Sequence, residues 1–313
     1  MLTAPAGRSE TVTTVLVAFA ANIVIALAKT VAAFLTGSAS LVAEAAHSWA
    51  DAGNEVLLII ANRRGSKQCD ESHPLGYGRE VYVWALFAAL GLFAAGAAVS
   101  ITHGVTELIH PEAADDFVIG YVVLVIAFAL EGVSFLQSLR QIRHEAAALQ
   151  RDVLEHVLAT SDPTLRAVFA EDAAALIGLV VAGTGLVAHQ VTGSPTPDAI
   201  GSIVIGVLLG VVALVLVNRN RAFLVGELVD PRVRAAALQL LLTMTEVARV
   251  TYLRVEVVGP RQVNVVAKLD LTGDDRESLV AVRLRDLEAR LVALPAVVGA
   301  VLSLATPDEP SLA

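Results

Sequence analysis

Six long apolar segments constrain this chain more than any other feature of its sequence. Each can cross a bilayer, which takes about 20 helical residues. Backbone inside lipid must satisfy its own hydrogen bonds, as a helix does. We therefore expect a polytopic α-helical membrane protein with six transmembrane helices. Their approximate bounds are 12–35, 39–61, 81–105, 117–139, 167–189 and 200–217.

The composition agrees with a protein that crosses the membrane several times. Of the 313 residues, 56% are hydrophobic and 17% are charged, and the mean hydropathy is +0.68. The net charge of −9 argues against a nucleic-acid partner. Cys69 is the only cysteine. The chain therefore has no internal disulfide and no thiolate cluster that could bind a metal.

The distribution of basic residues predicts the orientation of the helices. The loops after the second and fourth segments carry arginine and lysine, whereas the turns after the first, third and fifth carry none. Because basic loops stay in the cytoplasm, we expect a multi-pass protein of the cell membrane with both termini in the cytoplasm. The basic loop residues are Arg63, Arg64, Lys67, Arg79, Arg140, Arg143, Arg151 and Arg166.

The last part of the chain has the composition of a soluble domain. We predict a transmembrane domain over residues 1–225 and a cytoplasmic domain over 226–313. The apolar periodicity of the second part favours the order αββαβ of a small ferredoxin-like α+β module, with another small α+β domain as the alternative. The predicted helices cover 235–247 and 276–294, and the predicted strands cover 253–258, 263–271 and 297–304.

The second apolar segment carries side chains that a lipid-facing helix cannot accommodate. Glu44, Asp51 and Glu55 would each cost about 2.5–3.5 kcal/mol at the membrane centre. Residues four apart share a helix face, so His47, Asp51 and Glu55 form one stripe, which Asn54 flanks. Polar stripes of this kind normally face the bundle interior and mark ion pathways. A buried hydrogen-bonded contact between helices is the alternative.

The stripe predicts a metal site shared with the fifth segment. Histidine and a carboxylate at this helical spacing suit a metal ion, and Zn²⁺ takes both in a tetrahedral arrangement. We predict His47, Asp51 and Asp172 as three ligands, and Glu171, Asn54 or water as the fourth. For Glu171, pairing with a loop arginine is the alternative.

Three further charged residues lie inside apolar segments. We interpret Glu55 as an acid on the access path to the site, with a structural role as the alternative. Glu131 is interpreted as a helix-packing or proton-path residue. Lys29 is expected either to pair with an acid inside the membrane or to extend to its surface.

These residues together resemble the cation diffusion facilitator family, and the resemblance covers nearly the whole chain. It rests on the spacing of His47 and Asp51, an acid in the fifth segment, the αββαβ tail and a glycine-rich loop motif. That loop reads His73-Pro74-x-Gly76-x-Gly78-Arg79. The stretch Glu171-Asp172-Ala173-Ala174-Ala175-x-x-Gly178 is similar to the branch that includes the animal mitochondrial zinc transporter.

The resemblance implies a homodimeric exporter that moves Zn²⁺ or a similar divalent cation out of the cytoplasm in exchange for protons. It implies no enzymatic activity and no cofactor, because the metal is the substrate. Where the family has a second histidine ligand in the fifth span, this chain has Val168, which increases the interest of Glu171. A second loop site would use Asp70 and His73, but Tyr77 replaces its other histidine, so we expect a weak site or none.

The resemblance also implies an ion pair between Arg79 and an acid near the end of the sixth segment, either Glu227 or Asp230. In similar proteins the C-terminal module dimerises. Here it contains neither histidine nor cysteine, so we expect no high-affinity zinc site in it.

Two other functions remain as alternatives. A transport-inactive metal sensor or scaffold of the same fold would tolerate Val168 and Tyr77. An intramembrane metallohydrolase would use the same ligands to activate water. However, the chain has no His-Glu-x-x-His sequence, and Glu44 lies on the side of His47 away from Asp51. The histidine ligand favours Zn²⁺, Co²⁺ or Fe²⁺ over Mn²⁺.

Overall fold

The computed structural model describes residues 12–111 and 116–312, with the backbone alone described at 12–18 and 93. The chain forms two compact units. Of the described residues, the helical unit holds residues 12–61 together with Val83–Arg221, and the C-terminal unit holds Asn62–Tyr82 and the chain from Ala222 to Leu312. The loop after the second helix thus belongs with the tail. The linear division into 1–225 and 226–313 stays a prediction.

Long apolar helices build the helical unit. A π-helical segment, Leu92–Ala98, joins α3 to α4, so that Glu80–Ile109 runs as one helix of 30 residues. The helices are α1 (Val12–Thr36), α2 (Ala39–Gly65), α3 (Glu80–Gly91), α4 (Val99–Ile109), α5 (Phe117–Ala148), α6 (Val153–Ala159), α7 (Pro163–Thr192) and α8 (Thr196–Val225).

Five helical segments of the described chain are long and apolar enough to cross a membrane, namely Phe19–Thr36, Glu80–Ile109, Phe117–Ala148, Pro163–Thr192 and Thr196–Val225. The prediction of a multi-helix membrane region is therefore confirmed. Helix α2 has the length for a span, at 27 residues, but its acids make it less apolar than the others. The count of six spans stays a prediction.

Sequence signals explain where α7 begins. Asp162 caps the helix, because its carboxylate accepts hydrogen bonds from the backbone N–H groups of Thr164 at 3.1 Å and Leu165 at 3.2 Å. Pro163 occupies the first helical position, where a missing N–H costs nothing. The buried Arg166 then donates to the carbonyl of Thr160 at 2.9 Å and to the Asn220 side chain at 2.8 Å.

Small residues let α4 and α8 approach closely. A Cβ atom added at Gly104 would lie 2.7 Å from the carbonyl oxygen of Ala199. The hydroxyl of Ser202 donates to the backbone carbonyl of Ser100 at 2.8 Å. Such contacts are typical of helices packed inside a membrane.

The C-terminal unit has the predicted order αββαβ. Its sheet has the strand order β1-β2-β3, in which β1 and β2 are antiparallel and β2 and β3 are parallel. Apolar residues alternate along the strands and pack against both helices. The elements are α9 (Pro231–Leu242), β1 (Val247–Gly259), β2 (Gln262–Leu271), α10 (Glu277–Val292) and β3 (Val297–Leu304).

The predicted boundary between α9 and β1 is wrong. Helix α9 ends at Leu242, and β1 begins at Val247, whereas the sequence suggested a helix up to 247 and a strand from 253. The early start of β1 follows from its pairing, because Val247 lies opposite Leu271 at the far end of β2. Tertiary pairing with β2 therefore overrides local helix propensity here.

The glycine-rich loop docks on the β1–β2 hairpin within the C-terminal unit. Gly76 has φ +72°, which favours glycine. A Cβ atom added at Gly78 would lie 2.7 Å from the carbonyl oxygen of Val258 and 2.8 Å from Cα of Gly259. The two glycines thus permit the turn of the loop and its close backbone contact with the hairpin.

The end of the chain lies along β1. The backbone N–H of Leu312 donates to the carbonyl of Val250 at 2.8 Å. Arg249 donates to the carbonyl of Glu309 at 2.7 Å, and the Glu309 carboxylate accepts from Lys268 at 2.8 Å. These contacts cover part of a strand edge that would otherwise be free to pair.

Candidate metal site

His47 and Asp51 lie one turn apart on α2. Nδ1 of His47 is 3.3 Å from Oδ1 of Asp51, and the His47 side chain is buried. Within the described chain, neither ring nitrogen of His47 nor Oδ1 of Asp51 has a hydrogen-bond partner. Buried polar atoms are normally hydrogen-bonded. These three atoms are therefore suited to bind a ligand.

Glu171 of α7 is bound to α2. The amide of Asn54 donates to Oε1 of Glu171 at 2.7 Å, and both side chains are buried. Asn54 flanks the stripe of His47, Asp51 and Glu55, so this hydrogen bond places Glu171 next to the stripe. Glu171 is therefore the acid of α7 with a hydrogen bond to α2. The sequence had predicted Asp172 as a ligand and Glu171 only as one option for the fourth.

Asp172 is directed toward a different helix. The hydroxyl of Ser134, on α5, donates to Oδ2 of Asp172 at 2.8 Å. Adjacent residues on a helix point about 100° apart, which explains why Glu171 and Asp172 have different partners. No group of three histidine, cysteine, aspartate or glutamate side chains is arranged to hold a metal among the residues that the structure describes. The ligand set His47, Asp51, Asp172 and Glu171 stays a prediction.

A buried ion pair lies one turn along α2 from His47. The ammonium of Lys29, on α1, is 2.9 Å from Oε2 of Glu44 and 3.9 Å from Oε1 of Glu131 on α5. The prediction that Lys29 pairs with an acid inside the helices is confirmed. Sequence reasoning missed Glu44 as the partner, although Glu44 is itself too costly to leave unpaired in an apolar segment.

Glu55, the third member of the α2 stripe, accepts a hydrogen bond from Asn22 of α1 at 3.1 Å. This contact links the two helices. The role of Glu55 on an access path stays a prediction.

The loop carboxylate of Asp70 serves as a local hydrogen-bond acceptor. It accepts from the Ser72 hydroxyl at 2.7 Å, the Tyr77 hydroxyl at 2.7 Å and the His73 backbone N–H at 2.8 Å. These bonds, chiefly the one from the Ser72 side chain, hold the pKa of Asp70 below its usual range. Tyr77, in place of the second histidine, also stacks on the His73 ring at 4.0 Å. The expectation of a weak loop site or none stays a prediction.

Arg79 forms its observed ion pair with Glu256 of β1, an acid that was not among the predicted partners. Asp230 caps α9 by accepting from the backbone N–H of Arg232 at 2.8 Å. The backbone carbonyl of Glu227 accepts from Val257 at 3.3 Å. A dimer or gating role for Arg79, Glu227 and Asp230 stays a prediction.

Long apolar helices with buried acids, followed by a small α+β unit, define a polytopic membrane protein with a charged interior. A family model described as the cation efflux transmembrane domain matches residues 15–225. The chain therefore belongs to the cation efflux, or cation diffusion facilitator, family, which confirms the resemblance drawn from its motifs.

Three relatives show the range of the similarity. Metal tolerance protein C4 of Arabidopsis thaliana is 35% identical over 233 residues, 74% of this chain and 51% of that protein. The mitochondrial proton-coupled zinc antiporter SLC30A9 of Homo sapiens is 30% identical over 259 residues, 83% of this chain and 46% of that protein. Magnetosome protein MamB of Paramagnetospirillum magneticum is 25% identical over 244 residues, 77% of this chain and 76% of that protein. The chain spans about half the length of the first two relatives.

Proposed function

We propose that this protein exports a divalent metal cation, Zn²⁺ foremost, from the cytoplasm in exchange for protons. The observation that carries the proposal is the buried pair His47 and Asp51, whose unpartnered atoms lie 3.3 Å apart on the helix to which Asn54 binds Glu171. Membership of the cation efflux family supports transport. The name of SLC30A9 supports zinc as substrate and protons as counter-ions.

The proposal includes α2 as a sixth span. Its 27 residues can cross the bilayer, and Glu44, His47 and Asn54 are buried inside the helical unit instead of facing lipid. Both ends of the chain would then lie on the cytoplasmic side of the cell membrane, where the basic loops place them. The C-terminal part would be a ferredoxin-like module that joins two copies into a homodimer. The β1–β2 hairpin and the parallel β2–α10–β3 unit support that fold.

Cation binding and proton release would be coupled at this site. His47 must be neutral and Asp51 ionised to bind a metal, so binding displaces any protons they carry. Glu171 would exchange its bond from Asn54 for the cation, and Asp172 would exchange its bond from Ser134. Carboxylates that share a poorly hydrated cavity resist simultaneous ionisation, so one or more of these acids would hold a proton in the empty site. The empty carrier would therefore return with protons bound.

Zn²⁺ flux into vesicles that contain the purified protein tests the proposal. We expect uptake to respond to an imposed pH gradient and to be abolished by Asp51→Ala. Asp70→Ala, in the exposed loop, is the matched control and should retain flux. Flux that ignores the pH gradient, combined with parental activity of Asp51→Ala, would contradict the proposed exchange.

A metal sensor or scaffold is the second candidate. Val168 and the engagement of Asp172 by Ser134 favour it, because both reduce the number of ready ligands. Such a protein would bind Zn²⁺ without vesicle uptake, so the same preparation distinguishes the two. Hydrolysis is disfavoured, since the nearby carboxylate of Glu44 is engaged by Lys29.

A further inference from the structure

Lys29 is a fully buried cation beside the candidate metal site. Its ammonium contacts Glu44 at 2.9 Å and approaches Glu131 at 3.9 Å. Its partner Glu44 lies one turn along α2 from His47. A positive charge that belongs to the protein therefore lies about one helical turn from the candidate metal site.

Glu44 is held in one place by its surroundings. Its side chain is buried, and it lies so close to α7 that a Cβ atom at Gly178 would collide with its Oε1. Glu44 precedes His47 by three residues and Asp51 by seven, so it lies on the same side of α2, one and two turns away. The Lys29–Glu44 pair thus anchors the ammonium at the far side of His47 from Asp51.

We propose that Glu44 is a positioning residue that keeps the Lys29 ammonium away from Asp51, and that Lys29 is a tethered competitor of the transported cation. The inference rests on the proposed function, because it concerns the affinity of the same site. An ammonium group and a metal ion both bind carboxylate oxygens, so an ammonium bound to Asp51 would prevent the metal ion from binding there. Without Glu44, Lys29 keeps Glu131 at 3.9 Å, and the next acid along the same face of α2 is Asp51.

The arrangement also explains why a lysine is present in an apolar helix. Asp51, Glu131 and Glu44 would repel one another in a poorly hydrated interior, and one fixed cation offsets part of that repulsion. A lysine placed directly on Asp51 would block the site. Glu44 allows the charge to remain nearby without occupying the ligand oxygen.

Zn²⁺ titration calorimetry on the purified full chain tests the inference. We expect Glu44→Gln to weaken Zn²⁺ binding about tenfold or more, which corresponds to about 1.4 kcal/mol or more. Lys29→Met in the same protein should restore the affinity to within about threefold of the parent, because the competitor is gone. Glu55→Gln is the control. Glu55 is bonded to Asn22, and Lys29→Met should not rescue any weakening caused by its loss.

Restored affinity on adding Lys29→Met distinguishes a positioning role of Glu44 from its other possible roles. If Glu44 were itself a ligand, or if its loss disturbed folding, removing Lys29 would not restore binding, and the inference would be overturned. Unchanged affinity in folded Glu44→Gln would also overturn it. If that variant does not fold, Glu44→Asp keeps the charge but moves it back along α2, and a smaller weakening that Lys29→Met again restores is expected. Parental protein that binds no Zn²⁺ overturns the proposed function and this inference together, whereas parental binding without rescue overturns the inference alone.

Discussion

Gly78→Ala should release the glycine-rich loop from the β1–β2 hairpin. The added Cβ atom would lie 2.7 Å from the carbonyl oxygen of Val258 and 2.8 Å from Cα of Gly259. It would also lie 2.6 Å from the side-chain oxygen of Gln262, which can rotate away. The first two atoms belong to the backbone of a paired strand and cannot move aside without disrupting it.

Overpacking of this kind typically costs 1–3 kcal/mol. Because both blocking atoms are backbone, we expect a cost of about 2 kcal/mol. At about 1.4 kcal/mol for each factor of ten, this corresponds to a roughly thirtyfold shift toward the undocked loop. The ion pair between Arg79 and Glu256 depends on the same docking, so it should weaken as well.

Hydrogen exchange measured by mass spectrometry can detect the change. In Gly78→Ala, peptides covering 66–79 and the hairpin at 256–262 should both exchange faster than in the parent. Gly76→Ala is the matched control. Its φ of +72° makes alanine cost about 1–2 kcal/mol, but its nearest neighbour, the Lys67 carbonyl, is 3.8 Å away. That variant should loosen the loop and leave the hairpin unchanged.

Two results would refute the reasoning. Hairpin exchange in Gly78→Ala that equals the parental rate would show that the close contact does not hold the loop. Equal hairpin effects of the two alanine substitutions would show that general loop strain, and not the backbone contact at Gly78, is responsible.

Three other variants or conditions test separate parts of the structure. Arg166→Met should lower the free energy of unfolding by about 2–3 kcal/mol, because it leaves a buried carbonyl and a buried amide oxygen without their donor. A thermal melt of the purified protein measures the change, and an unchanged midpoint would contradict it. His47→Asp should retain transport but shift preference from Zn²⁺ toward Mn²⁺, since oxygen replaces nitrogen, and competition between the two ions in vesicle uptake measures the shift. The hydrogen bond from Lys268 lowers the pKa of Glu309 from its ordinary 4.5. The ionised Glu309 carboxylate therefore stabilises the tail contact above pH 4.5. This contribution is lost as the pH falls through the lowered pKa. Exchange of the 305–312 amides, corrected for intrinsic rates, should therefore rise in acid. Glu309→Gln should reduce this pH dependence and leave the part due to Asp308, whose pKa the Thr306 side chain lowers.

Local patterns were enough to predict two contacts inside the helical unit. The spacing of His47 and Asp51 places them on one face of any helix, and the cost of a bare charge required Lys29 to find an acid. The direction of Glu171 and Asp172 could not be predicted in the same way. It depends on how α7 is rotated against α2 and α5, which no local pattern records.

The glycine-rich loop also combines features that its local sequence predicts with features that depend on distant residues. Its composition identified a loop, and Gly76 has the positive φ that such a residue permits. The need for Gly78 arises from Gly259, which lies far along the chain. Likewise, Glu256 could not be recognised as the partner of Arg79 before the β1–β2 register was known.

If His47 binds the cation as proposed, its imidazole has consequences for how long the cation stays bound. Histidine ligands usually donate their second ring N–H to a fixed acceptor, and losing such a partner costs about 10–100-fold in metal affinity. Within the described chain, neither nitrogen of His47 makes a hydrogen bond, and the carboxylate 3.3 Å from Nδ1 belongs to Asp51, itself a predicted ligand. No bonded acceptor therefore fixes the ring before the cation arrives. In a storage protein this would be a weakness. In a carrier that must discharge its cargo on every cycle, a ligand that is ordered only on binding shortens the residence time and favours turnover.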